Sequence, residues 1–375
     1  MFDSGTVQTA GSGLTGWKTS THDDFVTISS LLKSPTSGLY VNSLPGVTVE
    51  VASKAIKEES LADYLDNIHN EELRQLVNTF THSLKNELKS KELLSNVTLI
   101  QAHNNYDSKI TKNSRFVGYM IAPQPSKSVK ATITQIGFEM DTAQSITVYL
   151  FESSQKAAIA SFTYTSSTAD SLVWQDVTSE GLTIEYDADS YGAGTKYLIG
   201  YFEDNLTGQV YKMDYSDGAN VAKKIFGRYV GVSPVYINSS DLDGTNIPDR
   251  DSFGGATSCQ SPGFNLRFNV KCDITNILCD NIQMFARPHQ YAVAVRIMSD
   301  ALANTGINPI SSAAQNREQW TSLLGQYKAE LYGGHAVIGG IPIRKKGMME
   351  ELTLDFSDID AVCLKRKDIF SVGAL

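Results

Sequence analysis

Cysteine is scarce in this chain: four in 375 residues, Cys259, Cys272, Cys279 and Cys363, with no C-x-x-C pair among them. That spacing offers neither a zinc-knuckle pattern nor a disulfide framework. The four residues read as small buried hydrophobes of a reduced compartment. Cys272 and Cys279 share a face if the stretch between them is helical. Long apolar runs are also missing, which excludes a membrane span. The opening MFDSGTVQTAGSGLTGW has no basic start and no apolar core, so no signal peptide is expected. Positive charge is in deficit: the net charge is −9, and an acidic surface disfavours general nucleic-acid binding. Catalytic signatures are lacking, with no P-loop, no H-E-x-x-H and no G-x-S-x-G elbow. GSGLTG at 11–16 has the letters of G-x-G-x-x-G, but no apolar strand precedes it and no helical pattern follows, so no cofactor is expected. The six histidines are dispersed, without metal-ligand spacing. His69 and His82 fall in a charge-rich helical run and read as solvated.

What is present supports two cores, since 41% of the residues are hydrophobic. Residues 1–53 read as an extended N-terminal arm rich in Gly, Ser and Thr, carrying large apolar anchors that must be buried against something. Residues 54–95 read as helix, with apolar positions from Leu61 to Leu88 at steps of three and four, and with a polar patch NIHNEE at 67–72 that could bend or break it. Residues 96–271 change to period two, in short strands such as QSITVYLFE and KYLIGYFED separated by turn signals, with GFNLRFNVKC as the closing strand. Residues 272–346 return to helix, with Pro288 expected as a break or kink, Ser312 as a cap, and Gly306 and Gly333 as stops. Residues 347–375 form a partly helical tail. The expected fold is α+β: a discontinuous helical domain with an inserted antiparallel β-sandwich of jelly-roll type, plus the extended arm.

Few residues suggest a ligand. DLDGTNIPDRD offers Asp241, Asp243, Asn246, Asp249 and Asp251 as hard oxygen donors around Gly244, a weak calcium candidate that departs from the EF-hand and also reads as a plain polar turn. Trp174, Tyr186, Tyr191, Tyr197 and Tyr201 invite a sugar-binding reading by fold analogy. The basic runs 344–346 and 365–367 read as solvated faces or as a contact for an acidic partner.

Three stretches carry a family resemblance: GWKTSTHDDFVTISSLLKSPTSGLYVNSLPGVTVE, then VKCDITNILCDNIQMFARPHQYAVAVRIMSDAL, then LTLDFSDIDAVCLKRK. The chain resembles virion structural proteins of tailed phages infecting Bacteroidota, including crAss-like phages. The resemblance implies a ring-forming head-to-tail connector subunit of the neck or tail. It would contact copies of itself and portal, neighbouring ring or tail proteins, and would be made in the host cytoplasm and located in the virion. No catalytic residue, cofactor or metal is implied. In such a ring the arm could cross to an adjacent subunit by strand addition, which nominates Trp17, Leu39, Tyr40, Val41, Leu44, Val47 and Val49 as interface residues. Docking of the arm on the chain's own helices is the competing expectation. The acidic balance suits a wall that encloses DNA without sequence-specific binding. The alternative function is a tail receptor- or glycan-binding protein using the β-sandwich.

Overall fold

The computed structural model describes residues 2–18, 28–56, 59–84, 88, 92–100, 108–186, 194–213, 227–242, 248, 253–304, 313–338, 341–354, 357 and 359–364. Helix and strand are mixed, and the sheets are antiparallel. The chain divides into two compact units. Lys89–Ile274 with Ser357–Leu364 make a β-unit; Phe2–Leu88 with Thr275–Phe356 make a helical unit.

In the β-unit, one sheet has the order β1 (Glu92–Thr98), β11 (Phe264–Cys272), β3 (Val129–Met140), β6 (Ser171–Asp176), with β7 (Thr183–Ile184) also pairing β3. The other has the order β10 (Thr257–Ser258), β9 (Val230–Ile237), β2 (Phe116–Pro123), β8 (Tyr197–Phe202), β4 (Gln144–Glu152), β5 (Ala158–Ser166). Alternation decides what each strand buries. Along β2, Val117, Tyr119 and Ile121 enter the large core shared by both sheets, while Phe116 and Met120 enter a second cluster with Phe151, Leu198, Val235 and Ile237. A strand buried on both faces needs the near-continuous apolar run FVGYMIA. Phe138 occupies the middle of the shared core: it stacks on Phe264 with centroids 5.0 Å apart and lies 4.7 Å from Tyr164 and 5.5 Å from Tyr201. The open side between β5 and β6 is bridged by side chains. The Gln175 amide accepts from Thr165 N (2.9 Å) and donates to Thr163 O (3.0 Å), in the manner of a strand's backbone. Tyr164 donates to Val173 O at 2.7 Å.

The N-terminal residues are not extended as the sequence suggested. They hold α1 (Ser4–Ala10), α2 (Ser30–Lys33) and α3 (Val49–Ala55), capped by Asp3, Ser29 and Thr48. The capping oxygens satisfy helix-start N–H groups, which favours helix over strand where the apolar period is three or four. The chain also folds back on itself: Gly16 N donates to Leu39 O and Val41 N to Gly16 O, both at 2.8 Å.

Helix α4 (Leu61–Ser83) runs unbroken through the NIHNEE patch, and its start is fixed by Ser60, which accepts from Asp63 N and donates to the Asp63 carboxylate. The patch does not break it because His69 and Glu72 lie on the buried side with Leu65, Ile68, Leu73 and Leu76. Helix α5 (Thr275–Asp280) and a 3₁₀ turn (Ile282–Phe285) lead into α6 (Ala286–Asn304). Pro288 therefore sits in the first turn of α6, where its missing N–H costs nothing, and the break expected at Pro288 falls just before it, at the 3₁₀ turn. Helix α6 is buried on most sides, through Ala292, Val293, Ala294, Ile297, Met298 and Ala301, as a central helix must be. Helix α7 (Ala313–Tyr332) stops at Gly333, whose φ of +83° suits glycine. A hairpin the sequence reading missed follows, β12 (Gly334–Ile338) with β13 (Ile341–Lys345), then α8 (Met348–Glu351).

Cys272 and Cys363 form a disulfide within the β-unit, with Cα atoms 5.6 Å apart. This corrects the reading of all four cysteines as unpaired. It also removes the shared helical face, since Cys272 ends β11 while Cys279 lies in α5. Ser312, Gly306 and residues 365–375 lie outside the described residues.

Phe138→Ala should destabilise the β-unit by roughly 3–5 kcal/mol, because packing on three other rings cannot close the void. Urea unfolding followed by tyrosine and tryptophan fluorescence measures this; a loss under about 1 kcal/mol would contradict the central role given to Phe138.

Candidate functional site

The most concentrated buried chemistry lies in the helical unit, where Thr15, His69 and His289 meet with 0%, 5% and 1% of their surfaces exposed. Three separate parts of the sequence supply them: the loop after α1, the middle of α4 and the first turn of α6. The loop can enter because two of the three glycines of GSGLTG, Gly11 and Gly16, stand where a side chain would clash. A Cβ on Gly11 would lie 2.3 Å from Leu73 Cδ2, and one on Gly16 would lie 2.2 Å from Leu32 O. The glycine motif thus serves close packing, with Leu14 and Trp17 inserted beside it.

The hydrogen bonds fix the tautomers. His289 Nε2 lies 2.8 Å from the His69 carbonyl oxygen and must donate to it. Its Nδ1 therefore accepts from the Thr15 hydroxyl at 3.0 Å. That hydroxyl can in turn accept from His69 Nδ1 at 3.3 Å, which leaves His69 Nε2 as a bare buried acceptor. The rings meet edge to face, with centroids 5.3 Å apart. A threonine hydroxyl beside an imidazole resembles a nucleophile and its base. Here the hydroxyl has no exposed surface, and the arrangement clasps the N-terminal loop to two helices.

One turn along α4, Glu72 is buried and faces Arg296 at 3.9 Å. Arg296 Nε donates to Asp300 at 2.8 Å, and Tyr64 donates to the same carboxylate oxygen at 3.0 Å. Burial drives the Tyr64 phenol upward, and Asp300 adds to the effect. In the β-unit, Arg115 and Glu203 form a paired charge: the carboxylate, 1% exposed, accepts from Arg115 Nε, Arg115 Nη2, Arg115 N and Asn113 N. The guanidinium also covers Tyr236 at 4.7 Å. This is the full pairing that a buried ion needs.

The nominated interface residues are seated on the chain's own helices. Trp17, Val41 and Val47 are buried in one cluster with Val293, Ile297 and Met298, and Leu44 and Val49 pack against that cluster half-buried. Leu39 and Tyr40 are half-buried, and the Tyr40 carbonyl accepts from Gln290 Nε2 at 2.7 Å. Residues 37–50 do not alternate as a strand, since Val41–Ser43 is a 3₁₀ turn and Val49 starts a helix.

Of the calcium candidates, Asp241 ends an exposed 3₁₀ turn at Ser239–Asp241, and Asp243, Asn246, Asp249 and Asp251 lie outside the described residues. Among the described residues no group of three His, Cys, Asp or Glu is placed to hold a metal. Tyr197 and Tyr201 point into the shared core, and Tyr201 donates to Pro262 O at 3.0 Å. Trp174 is half-buried under the Arg267 guanidinium, 4.1 Å from the ring centroid; Tyr186 is half-buried, and Tyr191 lies outside the described residues. The basic run at 344–346 is partly consumed internally, by Arg344 on Glu350 and Lys345 on Glu330. Among the described residues no helix is long and apolar enough to cross a membrane.

The reading of His69 as solvated is corrected. The signal was available: His69 stands four residues after Leu65 and four before Leu73, on the apolar stripe of α4. No protein family, curated protein or solved structure matches this chain.

Burial holds both imidazoles neutral. It takes His69 well below the ordinary value, with His289 adding a smaller push, and it takes His289 to about 4 against the bond to the His69 carbonyl. A group whose pKa is depressed in the fold contributes stability that is whole above the unfolded value, here about 6.5, and that is lost as the pH falls from there. Glu72 runs the other way: burial outweighs Arg296 and raises its carboxyl to about 7, so its contribution is whole below 4.5 and lost as the pH rises toward 7. With Glu72→Gln as background, acidification from pH 6.5 to 4 should cost on the order of 3 kcal/mol for His289 alone. Adding His289→Gln should make that slope shallower in urea titrations; an unchanged slope would remove His289 from the linkage.

Proposed function

We propose that this chain is a structural component of a tailed-phage virion, a ring-forming head-to-tail connector subunit of the neck or tail that acts through contacts with its own copies and with neighbouring portal, ring or tail proteins. The architecture that goes with this reading is a discontinuous helical domain interrupted by a β-sandwich of jelly-roll type.

One observation supports the reading above the others. The three stretches that carry the family resemblance are stretches the fold joins. Residues 28–50 pack on α6 through Val41, Val47, Val293 and Ile297. The second and third stretches are linked covalently through Cys272 and Cys363. A resemblance spread over distant segments is what a shared framework leaves, because framework residues answer to one another. Buried polar groups follow the same pattern: the Thr15–His69–His289 clasp and the Arg115–Glu203 pair are turned inward, onto other parts of the chain.

Because the N-terminal anchors are spent inside their own unit, ring contacts fall to other surfaces, and strand addition by residues 37–50 is set aside. The net charge of −9 suits an assembly that lets DNA pass without holding it.

Native mass spectrometry of the purified protein, together with quantitative mass spectrometry of particles, tests the proposal. The expected result is a closed homo-oligomer in the particle, present in a fixed number of copies greater than one. Absence from purified particles, or a single copy without contacts to its own kind, would overturn it.

A further inference from the structure

Cys272 closes β11 just before the chain leaves the β-unit at Ile274, and Cys363 lies in the short stretch Ser357–Leu364 where the chain returns. The bond therefore joins both ends of a long excursion into the helical unit, 91 positions apart in sequence. We propose that residues 357–364 are an oxidation-sealed strap: they dock on the β-unit by hydrogen bonds while the chain is reduced, and the Cys272–Cys363 bond then locks them there when the chain leaves a reducing compartment.

The docking site is built around Ser128, which has no exposed surface. Its hydroxyl accepts from Asp360 N at 2.9 Å, and its carbonyl accepts from Asp273 N at 2.9 Å. Cys363 Sγ lies 3.4 Å from that same carbonyl oxygen. In the reduced chain this contact is an S–H donor on a buried acceptor, so the thiol has a partner before any disulfide exists. The strap is pre-shaped as well: Val362 N donates to the Asp360 carboxylate at 2.9 Å and Cys363 N to the Asp360 carbonyl at 2.8 Å, while Ile359 is buried. Docking thus brings the two sulfurs together without help from the bond itself.

Sealing needs an oxidant of the low-molecular-weight disulfide class. One cysteine thiolate attacks the disulfide RSSR, forming a mixed disulfide and releasing RS⁻. The second thiolate attacks the protein sulfur and expels the other RS⁻, and the two thiol protons end on the released thiolates. Overall, two protein thiols and RSSR give the protein disulfide and two RSH. The remaining cysteines are poor competitors. Burial raises the Cys259 thiol to about 11 and pushes Cys279 upward too, which keeps both in the unreactive protonated form. Once formed, the bond is shielded, since Cys272 and Cys363 are only 6% and 1% exposed. It is a lock that forms once, protected from reductant unless the strap first opens.

The test uses the full chain, purified in the presence of a thiol reductant and then divided. One half is exposed to oxidised glutathione; both halves are alkylated under denaturing conditions and mapped by mass spectrometry. The oxidised half should carry alkyl groups on Cys259 and Cys279 and a linked peptide pair containing Cys272 and Cys363. Its thermal midpoint should be about 5 °C or more above that of the reduced half. An Asp-directed protease should cut at Asp360 faster in the reduced half. The double variant Cys272→Ser, Cys363→Ser should match the reduced half and ignore glutathione. Four alkylated cysteines after oxidation, a pairing that uses Cys259 or Cys279, or equal midpoints with equal cleavage in the two halves would each overturn the proposal. The two wild-type halves decide the matter even if the variant fails to fold. Because the readout is intramolecular, a chain that seals but never forms rings would leave this inference standing and the virion reading refuted.

Discussion

An imidazole buried among apolar side chains must stay uncharged, and the helical unit finds partners for three of the four ring nitrogens of His69 and His289 only by bringing three distant segments together. His289 spends one nitrogen on the backbone of α4 and the other on the Thr15 hydroxyl. Removing the loop that carries Thr15 would leave both rings short of a partner in a dry site, where an unmade hydrogen bond costs more than a made one contributes. Trp17, Val41 and Val47 share an apolar cluster with α6, and such contacts tolerate small shifts. The clasp does not, because its donors and acceptors alternate in one order. Direction enters the packing through these polar atoms, and mass through the hydrophobic ones.

The β-unit solves a different problem, that of open sheet margins. Antiparallel sheets that do not close leave strand edges whose N–H and C=O groups can recruit another chain. Strand β5 carries no charge and no proline that would discourage such pairing. The Gln175 amide occupies part of its edge with one donor and one acceptor, and Tyr164 ties the same strand to β6. At the other margin, β1 pairs β11 with two register shifts, which bend that edge. Deep charge is treated with the same economy: Glu203 is almost wholly buried, yet four donors converge on it.

Much of the secondary structure was legible because its signal is local. Strands β4 and β11 announce themselves by period two, and α4 by apolar steps of three and four. What escaped was long-range or masked by composition. His69 was hidden by the polar neighbours of NIHNEE, although its position on the stripe gave it away. Residues 37–50 look alternating because valines fall at odd positions, whereas Thr48 is a cap and the operative set is Val47, Val51, Ala52 and Ala55. The β12–β13 hairpin was signalled in the sequence by Gly339-Gly340 between apolar pairs, but its residues were counted with the helical segment 272–346. The Cys272–Cys363 pairing has no local signal at all, since spacing alone does not say which cysteines meet.

These cross-links change what can be concluded by cutting the molecule. Had the N-terminal fifty residues been an arm lying across a neighbour, their deletion would have left a sound monomer unable to assemble. Instead they contribute Thr15 to the clasp, Trp17 to the core and the Tyr40 carbonyl to Gln290. Deleting them strips α6 of one side of its packing, so a failure to assemble would report a damaged fold before it reported a lost interface. Only exposed positions separate the two effects. The buried polar groups that do pair, Thr15 with both histidines and Glu203 with Arg115, are answered from within the chain, so truncation reaches them before it reaches any outer surface.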